Sequence, residues 1–273
     1  MMIASTLDKN DLKLTPPGDL NPEQRVAWDR YYKPRNEAFL AAKLTGKALV
    51  EWKYNRYLHD YLKCVESVDD SIGQVLDYLK SEGLEKNTIV IYMSDQGFYL
   101  GEHGWFDKRW IFEESLKTPL VARWPGVIKP GSKSDQIVSN LDIAETFLEA
   151  AGLQVPREMQ GKSLLPIMSG KTPTDWRKSF YYHYYEYPAV HSVARHYAVV
   201  TDRYKLVHFY EPKFAYWELF DMKKDPREMR SVYGQPAYKA VQEQLEAELN
   251  RLRKELKVPE KDPPETKLTE EDG

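Results

Sequence analysis

Between Asn55 and Glu82, the residues Tyr57, Leu58, Tyr61, Leu62, Val65, Val68, Ile72, Val75, Leu76 and Leu79 recur at three- and four-residue steps. That spacing lays one apolar stripe along a long helix. Gly83 and Leu84 follow, a glycine for the left-handed stop and a leucine for its closing contact. Next comes Thr88-Ile89-Val90-Ile91-Tyr92-Met93, apolar on both faces and rich in β-branched residues. It suits an inner strand of a parallel sheet covered by helices on both sides. A long amphipathic helix feeding a two-faced strand points to an α/β layered fold.

The rest of the chain is placed around that unit. Thr15-Pro16-Pro17-Gly18 and Asn21-Pro22 break up an irregular lead-in, residues 1–22. A helical stretch, 23–33, follows with Asn21 as its N-cap, and 36–50 is helix-like again. Thr118–Trp124 is a second strand ended by Pro125-Gly126, and Gln136-Ile137-Val138 a third. A helix over Asp142–Ala151 has Asn140 or Asp142 as cap and Gly152 as stop. After Pro173 the pattern changes to aromatic and β-branched runs: Phe180–Glu186, a hairpin of Tyr197–Thr201 and Tyr204–His208 around Asp202-Arg203, and Trp217–Phe220. A helix over Pro236–Lys257 carries Val241, Leu245, Leu249, Leu252 and Leu256 on one face. The chain thus divides into an α/β part, 23–172, a small α+β part, 173–258, and a Pro-, Glu- and Lys-rich tail, 259–273, expected to be disordered.

Composition narrows the function. A net charge of −3 with both signs interspersed predicts no nucleic-acid surface. No run of about 18 apolar residues exists, so no membrane span is expected, and Met1–Ser5 shows neither a basic region nor an apolar core of a signal peptide. The single cysteine, Cys64, allows no internal disulfide and is expected to pack in the core. The 19 Tyr and 7 Trp are the largest departure from average, and such rings serve carbohydrate and protein contacts as well as packing.

The chemistry concentrates in Ser94-Asp95-Gln96-Gly97-Phe98-Tyr99-Leu100-Gly101-Glu102-His103-Gly104-Trp105-Phe106-Asp107-Lys108. Asp95 and Gln96 fall at the C-terminal end of the apolar strand, where open α/β sheets bind ligands. A carboxylate beside an amide carbonyl offers the oxygen donors that Ca²⁺ or Mg²⁺ takes. Taken alone, Asp95-Gln96-Gly97 could equally be a strand-ending turn, His103 a loop histidine and Lys108 a surface lysine. Together they supply a metal wall, an acid and an anion clamp in one loop, which is what a sulfate ester needs for a dispersed negative charge and a departing oxygen.

This segment, with Glu113-Glu114-Ser115-Leu116-Lys117-Thr118-Pro119-Leu120, resembles the formylglycine-dependent sulfatases of the alkaline phosphatase superfamily. Ser67-Val68-Asp69-Asp70-Ser71-Ile72-Gly73, Gln160-Gly161-Lys162-Ser163-Leu164-Leu165-Pro166 and Glu218-Leu219-Phe220-Asp221-Met222-Lys223-Lys224-Asp225-Pro226 resemble further stretches of the same family. The resemblance implies a partial alkaline-phosphatase-like layered α/β domain followed by a small antiparallel sheet with a helix. It implies Asp95 and Gln96 as metal ligands, with Ca²⁺ as the ion, and His103 and Lys108 as catalytic contacts to the sulfate and leaving oxygen. Glu186, His191, Arg195 and His196 are the implied substrate contacts, in a Tyr-rich segment similar to that of glycosaminoglycan sulfatases. The implied substrate is a sulfated glycan, and the implied compartment is extracytoplasmic.

One part of the pattern is missing. The family's formylglycine arises from the first residue of Cys/Ser-x-Pro/Ala-x-Arg, and no Cys or Ser here begins such a pentapeptide. The paired N-terminal aspartates of the metal shell are also not found, because Asp69-Asp70 lies inside the amphipathic helix. The chain therefore resembles the C-terminal half to three-fifths of a sulfatase, with an incomplete calcium site. It is expected to be inactive alone, and to cover its apolar faces by self-association or with a missing N-terminal half. The alternatives are a non-catalytic glycan- or partner-binding module and a phosphoester or phosphonate hydrolase of the same superfamily.

Overall fold

A computed structural model of the protein describes residues 7–188 and 191–262. They divide into two units: residues up to Glu85 together with Phe98–Lys108, and Lys86–Gly97 together with residues from Arg109 onward. Residues 1–6 of the lead-in, and the expected disordered tail from residue 263, lie outside the described residues.

In the first unit, Asn21 caps helix α1 (Pro22–Ala42) as its place before Pro22 predicts. Its side chain accepts from Gln24 N at 2.8 Å, and Gln24 Oε1 accepts from Asn21 N at 3.0 Å. The two predicted helical stretches, 23–33 and 36–50, differ from what forms. One helix runs through Pro34 to Ala42, and helix α2 (Gly46–Ser81) starts after a left-handed Lys43. Packing overrides the proline signal, because side chains on both sides of Pro34 are held by α2. Phe39 stacks on Trp52 at 3.6 Å, the Arg56 guanidinium lies 4.8 Å from the Tyr32 ring centroid, and Lys63 bonds the Tyr31 hydroxyl. In the turn around Pro34, the Arg35 guanidinium donates to Tyr31 O at 2.7 Å.

The lead-in is fastened to this pair. Buried Asn36 donates to Lys13 O at 2.9 Å and accepts from Arg56 Nη2 at 2.8 Å, while Arg56 Nε donates to Leu12 O at 3.1 Å. Helix α2 ends as predicted: Gly83 N bonds Lys80 O and Leu84 N bonds Leu79 O, with Gly83 at φ +68°. Part of the apolar stripe of α2 is nevertheless uncovered: Leu62 is 51% exposed, Val68 47% and Val75 56%. Cys64 is exposed with it, not a core residue as expected, because that face of the helix lacks a cover. Among the described residues no helix is long and apolar enough to cross a membrane.

In the second unit, β1 (Val90–Met93) pairs antiparallel with β2 (Leu120–Arg123), after the short helix α3 (Glu113–Leu116). The expected parallel neighbours of β1 are absent among the described residues, where β2 is its one partner. Its two-faced composition is accordingly only half satisfied, and Tyr92 is 42% exposed. The third strand expected at Gln136–Val138 does not form; Ile137 O instead accepts from Trp176 Nε1 at 2.8 Å. Helix α4 (Asp142–Ala150) follows Leu141 as cap residue, which brings no side-chain bond, in place of the expected Asn140 or Asp142. Gly152 ends the helix at φ +72°. Asp142 turns back to Ser139 N at 2.8 Å and forms a two-pronged pair with Arg177. Glu145 accepts from Gly161 N and Thr146 Oγ1 accepts from Leu164 N, which fastens the turn before helix α5 (Leu165–Met168). A Cβ on Gly161 would run into Leu141 O and the Glu145 carboxyl, so only glycine fits there.

The C-terminal sheet is an antiparallel meander of β3 (Ser179–Tyr184), β4 (His196–Thr201), β5 (Tyr204–Phe209) and β6 (Tyr216–Asp221). Both hairpin strands expected around Asp202-Arg203 are present. On one face, Val199, Leu206 and Leu219 pack against Leu245, Leu249 and Leu252 of helix α6 (Lys239–Glu255). On the other, Ala198, Val200, Val207 and Phe209 pack against Ile111, with Trp110 and Leu116 beside it.

Truncating Asn36 to Ala leaves Lys13 O and Arg56 short of partners inside the first unit. The expected cost is about 1–3 kcal/mol, read as a lowered urea midpoint at unchanged denaturant dependence.

Candidate active site

Asp95 and Gln96 follow β1 directly, as predicted, and Asp95 is exposed. Ser94 Oγ donates to Gln96 O at 2.7 Å and fixes the turn. Gly97 is required for a different reason from a sharp turn. Its N–H donates to Ser115 O at 2.7 Å, and a Cβ would overlap the Glu114 carbonyl. The backbone after β1 therefore lies tight against helix α3.

His103 and Lys108 sit in a loop of the first unit that is braced by its own backbone. Tyr99 N bonds Asp107 O at 2.7 Å, Gly101 N bonds Trp105 O at 2.8 Å, and Leu100 N bonds Glu102 Oε2 at 2.7 Å. Phe98 and Phe106 flank the loop and pack on Tyr61 and Tyr57 of α2. His103 is held at φ +53°, a left-handed conformation that costs a non-glycine residue energy. Its ring stacks on Trp105 and meets Tyr99 edge-on. Lys108 is exposed.

The four substrate candidates lie in the second unit and divide into two groups. Glu186 accepts from the Tyr184 hydroxyl at 2.8 Å, and His191 is hydrogen-bonded to Arg109. The Arg109 charge also acts on the Tyr184 hydroxyl, whose pKa is pushed up by burial and then by Glu186. Arg109, Tyr184, Glu186 and His191 thus form one electrostatic cluster on a half-exposed rim. Arg195 and His196 face other partners. Arg195 is bonded to Glu211, itself 4% exposed. His196 is fully buried among the rings of Trp110, Tyr182, Tyr184 and Phe209. Its Nδ1 lies 2.7 Å from Ala194 O, a pure acceptor, so the proton is on Nδ1 and Nε2 carries the lone pair.

Arg109 is the functional candidate that sequence reading missed. It adjoins Lys108 in the motif, but its meeting with His191 spans 82 positions and leaves no local pattern.

A hard cation is tested by the donors present. Asp95 and Gln96 give oxygen, the right type, but Ca²⁺ takes roughly six to eight. Among the described residues no group of three or more His, Cys, Asp or Glu side chains could hold a metal. These two residues can supply only part of a shell, and no chemical step is derived through the ion.

Residues 16–153 match the sulfatase family, and residues 101–255 match the family described as N-sulphoglucosamine sulphohydrolase, C-terminal. An N-acetylglucosamine-6-O-sulfatase of Bacteroides thetaiotaomicron is 49% identical over 90% of this chain and 44% of that protein. The solved structure of BT4656 in complex with its substrate D-glucosamine-2-N,6-O-disulfate matches with TM-score 0.89 and 44% identity, over 94% of this chain and 56% of that one. A phosphonate monoester hydrolase from Silicibacter pomeroyi matches with TM-score 0.69 and 26% identity, over 78% of this chain and 43% of that one. The chain spans less than half the length of the Bacteroides protein.

Burial pushes the His196 pKa down to about 4 and that of His183 to about 3. Both are depressed below the unfolded value, so their contribution to stability is present above about pH 6.5 and is lost as pH falls toward 4. In His196→Leu, the fall in unfolding free energy between pH 6 and pH 4.5 should be shallower than in the wild type by up to about 1.4 kcal/mol per pH unit, measured by urea titration.

Proposed function

Because the chain belongs to the sulfatase family, we propose that it carries the sulfate- and sugar-recognising part of a sulfuric ester hydrolase acting on 6-O-sulfated glucosamine units. The observation that carries this reading is the Arg109–His191 and Tyr184–Glu186 cluster, in a chain that is 49% identical to an N-acetylglucosamine-6-O-sulfatase. A guanidinium and an imidazole beside a carboxylate suit a sugar that bears both anionic groups and hydroxyls.

The roles follow from chemistry. The Lys108 ammonium is a point charge for the sulfate oxygens. His103 donates a hydrogen bond or proton to the leaving oxygen as the S–O bond breaks. Glu186 accepts from sugar hydroxyls, and Arg109 with His191 addresses an anionic substituent. Arg195 and His196 act from behind this rim, one neutralised by Glu211 and the other packed beneath Tyr184. Asp95 and Gln96 would offer oxygen ligands to a Ca²⁺ ion whose remaining ligands come from elsewhere.

The reaction needs a nucleophile that this sequence does not contain, and losing one costs many powers of ten in rate. The chain alone therefore binds without turning over, and activity awaits a polypeptide that supplies the formylglycine and the remaining metal ligands. Glycan binding without catalysis is the second reading, favoured by the same missing pentapeptide.

Calorimetric titration with N-acetylglucosamine 6-sulfate and with unsulfated N-acetylglucosamine tests the proposal. Binding of the sulfated sugar only, weakened about tenfold or more in Lys108→Ala, as loss of a charge-assisted contact predicts, is the expected result. Equal affinity for both sugars sinks it. Turnover of an aryl sulfate by the purified chain, at the rate of complete sulfatases, overturns the assignment of inactivity.

A further inference from the structure

Residues 109–112 join Lys108 to helix α3 without regular structure, yet from Arg109 to the first helical residue, Glu113, the backbone is tied to the C-terminal part of the chain at alternate residues. The Tyr182 hydroxyl donates to Arg109 O at 3.1 Å, Lys205 Nζ donates to Ile111 O at 3.0 Å, and Glu113 N donates to Glu228 Oε2 at 2.7 Å. Lys205 Nζ lies 2.7 Å from Glu228 Oε1 and 3.0 Å from Glu113 Oε1. The Lys205 and Glu228 side chains have no exposed surface. Glu228 is also held at φ +51°, a strained conformation for a side-chain-bearing residue.

A buried ammonium–carboxylate pair is a poor way to gain stability, since apolar residues of the same volume do as well or better. What such a pair does well is fix the path of a backbone whose N–H and C=O have no ladder partners. We infer that Lys205 and Glu228 are positioning residues for Arg109: by pinning Ile111 O and Glu113 N, they set where the Arg109 guanidinium stands beside His191. The inference rests on the reading of Arg109 as a sugar contact only for its functional consequence. The tether itself is a property of the chain.

The full chain is tested as Lys205→Met and Glu228→Gln, with Tyr182→Phe as a milder variant that removes only the hydroxyl bond to Arg109 O. Amide hydrogen exchange is read at Ile111–Glu113 and at Val199 and Leu206. The Arg109 Nε–H resonance is followed by NMR, assigned by its loss in Arg109→Lys. Affinity for glucosamine 2-N,6-O-disulfate is measured by calorimetry. The expected result is exchange at Glu113 N–H at least tenfold faster and Val199 and Leu206 unchanged. The Arg109 resonance should move toward its position in His191→Ala, and affinity should fall about tenfold. Two results overturn the inference: an unmoved Arg109 resonance with unchanged exchange at 111–113, or exchange that rises equally at Val199 and Leu206, which marks a general core role. If the wild type fails to bind the probe, or Arg109→Ala binds as well as the wild type, the sugar-contact reading fails. The exchange and resonance results then decide the tether by themselves. If Lys205→Met does not fold, Glu228→Gln, which keeps the side-chain volume, carries the same readouts.

Discussion

The period-two alternation of β4 and β5 governs the second unit. Val199 and Leu206 face α6, while their neighbours Val200 and Val207 face Ile111. Each fully buried aliphatic side chain contributes on the order of 1.5–3 kcal/mol, and a one-residue slip would send all of them to the wrong face. The consequence reaches the candidate site. Trp110, Ile111 and Leu116 cover the second face, so the stretch immediately after Lys108 is itself part of the core. Arg109 cannot drift without opening apolar surface around Ile111, which is fully buried.

What could be read from the sequence was whatever repeats locally. The α2 stripe, the hairpin around Asp202-Arg203 and the leucines of α6 all have a period of their own, and each element formed. The Asp95–Lys108 motif was legible because its residues are contiguous. Pro34 misled because a local breaker was weighed without Phe39 and Trp52, whose stacking is a matter of tertiary packing. Cys64 misled in the opposite sense: the stripe was real, but periodicity shows which residues share a face, not whether anything covers it. Lys205 was invisible. A lysine in a hairpin reads as solvated, and it is the Glu228 carboxylate 2.7 Å away, with Glu113 and Ile111 O at 3.0 Å, that makes its burial tolerable.

The uncovered surface has one physical character in each unit considered separately. In α2 it is an apolar helical face with Leu62 and Val75 more than half exposed. In the other unit it is β1, a strand with two apolar faces and, among the described residues, one neighbour. Both features have the composition of buried elements. BT4656 matches 94% of this chain but extends well beyond it, with only 56% of its own length covered.

Four buried ionisable side chains of the second unit share one pattern. Asp142 accepts from Lys162 N, Glu145 from Gly161 N and Glu228 from Glu113 N, while Lys205 donates to Ile111 O. In every case a buried ionisable side chain meets the backbone of an irregular stretch, where no helix or ladder supplies a partner. Leaving one such backbone group unsatisfied costs about 1–3 kcal/mol, whereas desolvating a charge that is both paired and bonded is largely offset. The charges are therefore placed where the backbone leaves regular structure, not where the core needs filling. Two stretches gain a fixed path in this way: the turn before α5 and the irregular residues 109–112 that lead into α3. The second of these directly follows Lys108, so the device that satisfies a backbone also sets the position of the groups proposed to meet the sugar.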